Sequence, residues 1–198
     1  MGKQFVTIAS GAVLSSLALP CAADAAVVSF AVSTSLSAGL NYGINMETGN
    51  VHLGDQAGDD VFLLAGSSFF VIEQQSPPGS QLARLTGTSA PSSLPAGFVL
   101  GAAMSGAGWG AGSAVSFAAG APGAFARNAT NYVGVRFAGS SGAYRYGYLT
   151  LQMGSTNSQC TVTGIAYEDS GGSITIVPAP GALAACAIAF AVGGRRRR

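Results

Sequence analysis

The sequence predicts an all-β fold: a single antiparallel β-sandwich or jelly-roll-like domain. Three observations carry this. Apolar runs are short and broken by Gly, Ser, Asn and Pro; no stretch of ten or more residues keeps helical spacing; and the best-defined runs alternate with a period of two. About ten short strands in roughly 150 residues suit two packed sheets better than a βαβ plan.

Strands are expected over 27–36, 40–45, 60–65, 69–73, 82–87, 98–104, 114–118, 132–138, 143–153, 160–168 and 173–177. The clearest alternation sets Val133, Val135 and Phe137 against Tyr132, Gly134 and Arg136, then crosses Gly139-Ser140-Ser141-Gly142 into a second strand. That is a hairpin. In its second strand Tyr144, Tyr146, Tyr148, Thr150 and Gln152 share one face, and Arg145, Gly147, Leu149, Leu151 and Met153 the other. A third strand alternates Thr161, Thr163, Ile165 and Tyr167 with Cys160, Val162, Gly164 and Ala166, then turns through Ser170-Gly171-Gly172 into Ile174 and Ile176, completing an antiparallel meander.

The β body is expected to span 26–176, between two terminal segments with the composition of addresses rather than fold. The overall charge of +1 is carried by those ends. Between Ala26 and Val177, four arginines face seven carboxylates, a net of −3, and lysine is absent. So weak and slightly acidic a body lacks the basic surface that nucleic-acid binding needs. Glycine supplies 24 of these residues, well above the usual ~7%, as suits many turns and close strands. The interspersed Val, Ile, Leu, Phe and Tyr give the chain a core that a disordered segment lacks.

Residues 1–25 have the layout of a secretory signal peptide. Lys3 makes a short positive start, an apolar stretch runs over 5–19, and Ala23-Asp24-Ala25 forms a small-x-small cleavage site with Ala23 and Ala25 as its small residues. Export and cleavage by a signal peptidase follow. Cys21 invites lipidation, but Pro20 beside it opposes the extended conformation that such processing needs.

At the other end, Val177-Pro178-Ala179-Pro180-Gly181 precedes an apolar run over 182–192, then Gly193-Gly194 and Arg195, Arg196, Arg197 and Arg198. Prolines stiffen an extended stretch that an enzyme can grip. The arginines resist translocation and act as a membrane stop. Eleven apolar residues make a helix of about 16 Å, well short of the ~30 Å hydrocarbon core, so transient insertion is expected rather than a lasting transmembrane helix.

This tail resembles the PEP-CTERM sorting signal of Gram-negative bacteria, recognised and cut by a membrane-embedded exosortase. The resemblance covers 177–198, and the usual proline-glutamate-proline core stands here as Pro178-Ala179-Pro180. It implies an exosortase-like processing enzyme as partner and a place in the cell envelope, at the surface or in the extracellular matrix. A second resemblance covers 131–168. Gly134-Val135-Arg136-Phe137, Tyr146-Gly147-Tyr148 and Ala166-Tyr167-Glu168 are similar to a strand pattern common in proteins with such tails, Tyr148 standing where tryptophan is usual.

Residues able to do chemistry are few. His52 is the only histidine, which excludes a two-histidine metal site and leaves a serine hydrolase dependent on one base. No nucleophile elbow is present, and the glycines of 106–112 around Trp109 lack the lysine of a phosphate loop. The paired carboxylates Asp59-Asp60 and Glu168-Asp169 point to opposite faces if they lie in regular strand, so neither can flank a sugar bond. Asp55, Asp59 and Asp60 offer oxygen ligands for calcium in a glycine-containing loop, or are simply solvated carboxylates. Tyr144, Tyr146 and Tyr148 are open to two readings: a flat aromatic face that stacks on carbohydrate, or cross-strand packing. Cys160 is read as a small buried strand residue, with a reactive or bridging thiol as the alternative; Cys21 and Cys186 lie in the terminal segments.

The leading expectation is a non-catalytic exported protein of the cell surface or extracellular matrix, without cofactor. An exopolysaccharide-binding module is second. A secreted hydrolase is third.

Overall fold

The computed structural model describes residues 26–74, 79–112 and 114–178. The expected signal peptide with Ala23 and Ala25, and the expected sorting tail from Ala179 through Arg198, lie outside the described residues. Among the described residues twelve strands follow in order: β1 Val27–Leu36, β2 Asn41–Asn45, β3 Asn50–Leu53, β4 Val61–Ala65, β5 Phe70–Gln74, β6 Gln81–Leu85, β7 Val99–Leu100, β8 Ala107–Gly110, β9 Thr130–Ala138, β10 Tyr144–Met153, β11 Cys160–Glu168 and β12 Ile174–Thr175.

They form a six-stranded sheet ordered β1-β11-β10-β9-β6-β8, a four-stranded sheet ordered β3-β2-β4-β5, and the short pair β12-β7. Every pairing in these sheets is antiparallel. The chain is all-β, and its six- and four-stranded sheets are consistent with a β-sandwich.

Side-chain alternation decides what lies between the two large sheets. Val133, Val135 and Phe137 of β9 and Leu149, Leu151 and Met153 of β10 meet Ile44, Met46, Val61, Leu63, Phe70 and Ile72 of the smaller sheet and its turns, in one buried cluster. Each such side chain contributes roughly 1.5–3 kcal/mol by leaving water. Gly147 makes room on this face: a Cβ there would overlap the Ala166 carbonyl and lie 2.8 Å from Cβ of Tyr167.

The predicted meander of β9, β10 and β11 is present, with a change in its third strand. β11 carries an extra residue between Gly164, opposite Thr150, and Val162, opposite Leu151. This bulge resets the alternation. Cys160 and Val162 thus join Ile165 and Tyr167 in the main core, although strict period-two spacing puts them on opposite faces.

Other strand expectations need correction. The 114–118 segment is not a strand: only Ala114 bridges, to Val71, and Val115 and Phe117 pack inward from an irregular strap. The 98–104 segment shortens to β7 because Gly101 and its successors turn away. β3 and β8 were not expected. They are four residues each, and the glycines of β8 hide its period.

The opposite face of the six-stranded sheet is also covered. Tyr146, Tyr148, Ala83 and Ala166 are buried with Leu94, Leu100, Ile174 and Ile176, which belong to β7, β12 and neighbouring loops.

Candidate functional site

The tyrosine row occupies one face of β10, but it is not one open surface. Tyr144 is 44% exposed, whereas Tyr146 and Tyr148 retain 6% and 5%. Of the two readings open for the row, packing describes Tyr146 and Tyr148, which the β7-β12 layer covers, and only Tyr144 stays open. Tyr148 packs edge-on to Tyr132 at 6.1 Å, and its hydroxyl lies 3.4 Å from both backbone N and O of Val177. Tyr146 packs against Trp109 at 5.7 Å. Val177 and Pro178, the last described residues of the chain, therefore run across this face, beside Val27, Ser29 and Ala166.

At the open end of the row stands a cluster that sequence reasoning missed. The guanidinium of Arg136 lies 4.4 Å from the Tyr144 ring centre and 5.7 Å from that of Trp109. Its Nη2 donates to Oε1 of Gln81, while its Nε is buried without a partner among the described residues. Strand pairing builds this group: Arg136 stands between Tyr146 and Gln81 in the ladder. Trp109 comes from β8, the glycine-bearing edge strand. The only sequence signal was a lone tryptophan among glycines.

A second polar group forms where β3 meets the 54–60 loop. His52 Nε2 is 2.9 Å from Oδ1 of Asp59, and its Nδ1 is 3.3 Å from the Leu53 carbonyl. Asp59 is buried and accepts a second bond at Oδ2 from the Gln56 amide. Burial works against charge on His52, but the Asp59 hydrogen bond, the Leu53 carbonyl and the charges of Asp59 and Asp55 outweigh it and raise its pKa. Both ring nitrogens face oxygen acceptors. Among the described residues, the contacts of His52 are with Asp59 and the Leu53 carbonyl, without the serine hydroxyl that a hydrolase pairing needs.

Asp55, Asp59 and Asp60 do not converge on a common point. Asp59 serves His52 and Gln56, and Asp60 Oδ2 accepts from the Met46 amide at 2.9 Å. Among the described residues, no group of three His, Cys, Asp or Glu side chains is placed to hold a metal. Asp59 and Asp60 instead satisfy local donors. Burial pushes the Asp60 carboxyl up to about 6, opposed by the Met46 N–H and assisted by the negative charges of Glu47 and Asp59.

Asp59 and Asp60 border a cleft of about 250 Å³ with Asn45, Glu47, Ser80 and Ser140. Across it Glu47 accepts from Ser140 at 3.0 Å and pairs with Arg145, whose guanidinium lies 5.6 Å from the Tyr167 ring centre. Partial burial raises the Glu47 pKa, but the bonds from Ser140 and Arg145 outweigh it, leaving the carboxyl below its usual value. This contact ties the β2-β3 turn to the β9-β10 hairpin.

Glu168 and Asp169 part company. Glu168 is buried, its Oε1 accepting from the Ser170 amide and hydroxyl at 3.0 and 2.6 Å, with Oε2 unpartnered among the described residues. Asp169 is exposed and its Oδ1 accepts from the Ala26 backbone nitrogen at 3.0 Å. Cys160 is a free, buried cysteine, and burial pushes its thiol up to about 12, far from the thiolate that reactive chemistry needs.

Comparisons with protein families, with curated proteins and with solved structures each found no match.

Proposed function

We propose that the chain is an exported, non-catalytic β-sandwich protein of the bacterial cell surface or extracellular matrix, trimmed at both ends on the way. The observation that carries the reading is at Ala26. A cut after Ala25 would turn the Ala26 amide, 3.0 Å from Asp169 Oδ1, into an ammonium at ion-pair distance. The first strand begins at the next residue, Val27. At the other end β12 finishes at Thr175, two residues before the proline motif, whose first residue, Val177, is 55% exposed.

Intact-mass analysis of the protein recovered from its native host tests this. The expected termini are Ala26 and a residue within 177–181. Surface protein that retains Arg198 would overturn the processing reading.

A second reading, polysaccharide binding, is favoured by one observation: the exposed Tyr144 ring stacked on Arg136 beside half-buried Trp109. A ring held flat by a cation suits stacking on a sugar. Pull-down on the host's exopolysaccharide that is lost in Tyr144→Ala supports it; binding unchanged by that substitution removes it.

A further inference from the structure

We propose that the free edge of β1 is a homotypic interface, through which a second copy of this chain continues the six-stranded sheet. β1 ends the larger sheet and pairs only with β11; among the described residues nothing occupies its other side. The remaining sheet edges are short or obstructed. β8 and β3 have four residues each, and β5 carries Glu73 and is bridged by Ala114. β1 has ten residues without a charge or a proline, the devices that usually keep an edge from pairing. Its one irregularity is a register shift between Ala31 and Thr34, which leaves Val27 to Ala31 as an unbroken stretch.

Backbone direction in that stretch is fixed by its partner. The Asp169 amide donates to the Ala26 carbonyl, so in the alternating antiparallel pattern Val28 and Phe30 also turn their backbone groups to β11. Val27, Ser29 and Ala31 turn theirs outward. A two-fold axis through Ser29 then pairs Val27 with Ala31 of the second copy, Ser29 with Ser29, and Ala31 with Val27, each pair exchanging both backbone bonds.

The side chains fit the same register. Val28 lies opposite Phe30 of the second copy at a non-hydrogen-bonded position, where side chains approach most closely and an aromatic–β-branched pair is favourable. Val28, Phe30 and Val32 are only half-buried at the margin of the main core, and this pairing extends the apolar row across the joint. On the other face the residues are Val27, Ser29 and Ala31, small enough to leave the two strands unobstructed. A two-fold joint must be self-complementary, and a neutral edge meets its copy without like-charge repulsion. The occupant is therefore a second copy.

The test uses protein recovered from cells expressing the full chain, and does not depend on where its ends are cut. Sedimentation equilibrium is expected to show a dimer. Ser29→Pro removes an outward N–H and leaves the β11 ladder intact, so it is expected to weaken the dimer at least about tenfold. Ser29→Cys places two sulfurs across the axis with Cα atoms about 5.5 Å apart, within disulfide range, and mild oxidation is expected to yield a disulfide mapping to position 29 in both copies. A wild-type monomer at all concentrations up to about 0.1 mM, or a dimer that forms no such disulfide, overturns the interface. The termini read by mass are a separate measurement, so loss of one proposal leaves the other standing.

Discussion

At position 43 a methyl group would overlap Oδ2 of Asp59 and lie 2.8 Å from Cε1 of His52. Gly43 stands opposite His52 in the β2-β3 ladder, so the missing side chain is what admits the His52–Asp59 hydrogen bond. Gly43→Ala is expected to cost about 1–3 kcal/mol by overpacking. In an Asp59→Ala background the same change should cost less, because the obstructing carboxylate is gone; chemical denaturation of the four proteins measures the coupling. Asp60 gives a pH dependence. Its pKa of about 6 in the fold, against 3.8 for the free group, means the folded chain binds the proton more tightly. Stability therefore falls as pH rises from about 4 through 6, and the penalty, up to ~3 kcal/mol, is complete above 6. Raised His52 acts in the same direction over a higher window: its contribution is present below about 6.5 and is lost as pH rises through the raised value. Asp60→Asn should stabilise at pH 8 by about 1–2 kcal/mol and by little at pH 4. Urea midpoints at the two pH values decide this, and a larger gain at pH 4 would contradict the assignment.

At the scale of elements, β9, β10 and most of β11 were legible because large side chains recur at every second position: Val133, Val135 and Phe137, then Tyr144, Tyr146 and Tyr148, then Leu149, Leu151 and Met153. The bulge in β11 was not, since Thr163-Gly164 breaks the period without any marked residue. β8 failed for the opposite reason: Ala-Gly-Trp-Gly offers no apolar row, and what makes it a strand is pairing with Leu82 through Leu85. The tyrosine row illustrates the limit for the site. Its membership of one face followed from spacing, but its exposure depends on two-residue strands, Val99–Leu100 and Ile174–Thr175, too short to carry a pattern. The three rings accordingly differ in consequence. Tyr146→Ala is expected to cost about 3 kcal/mol by emptying a packed site against Trp109, whereas Tyr144→Ala should stay within about 0.5 kcal/mol. A thermal scan of both separates packing from surface. Equal, small shifts would mean that the β7-β12 layer does not hold Tyr146 in place.

For the whole molecule, the start of the first strand, Ala26 and Asp169 lie together at one corner, and the proposed cleavage after Ala25 would change the charge there. In the uncut chain Ala26 offers Asp169 a neutral amide; after cleavage at Ala25 it offers an ammonium, and the 3.0 Å contact becomes a charge-assisted bond. Both groups are exposed, so water and salt screen the gain to about 1 kcal/mol or less. Its value as a test is its dependence on history. Asp169→Asn should lower the stability of mature protein beginning at Ala26 at low ionic strength, by up to about 1 kcal/mol, and should have less effect on a chain whose Ala25 cannot be cut. High salt should erase the difference between the two backgrounds. Because the contact closes the start of β1 onto β11, the same substitution is also expected to loosen amide exchange at Val28, whose backbone faces β11, in the mature form. Equal effects of Asp169→Asn on cut and uncut protein would mean that the corner responds to the carboxylate alone, and that cleavage at Ala25 adds nothing to the fold.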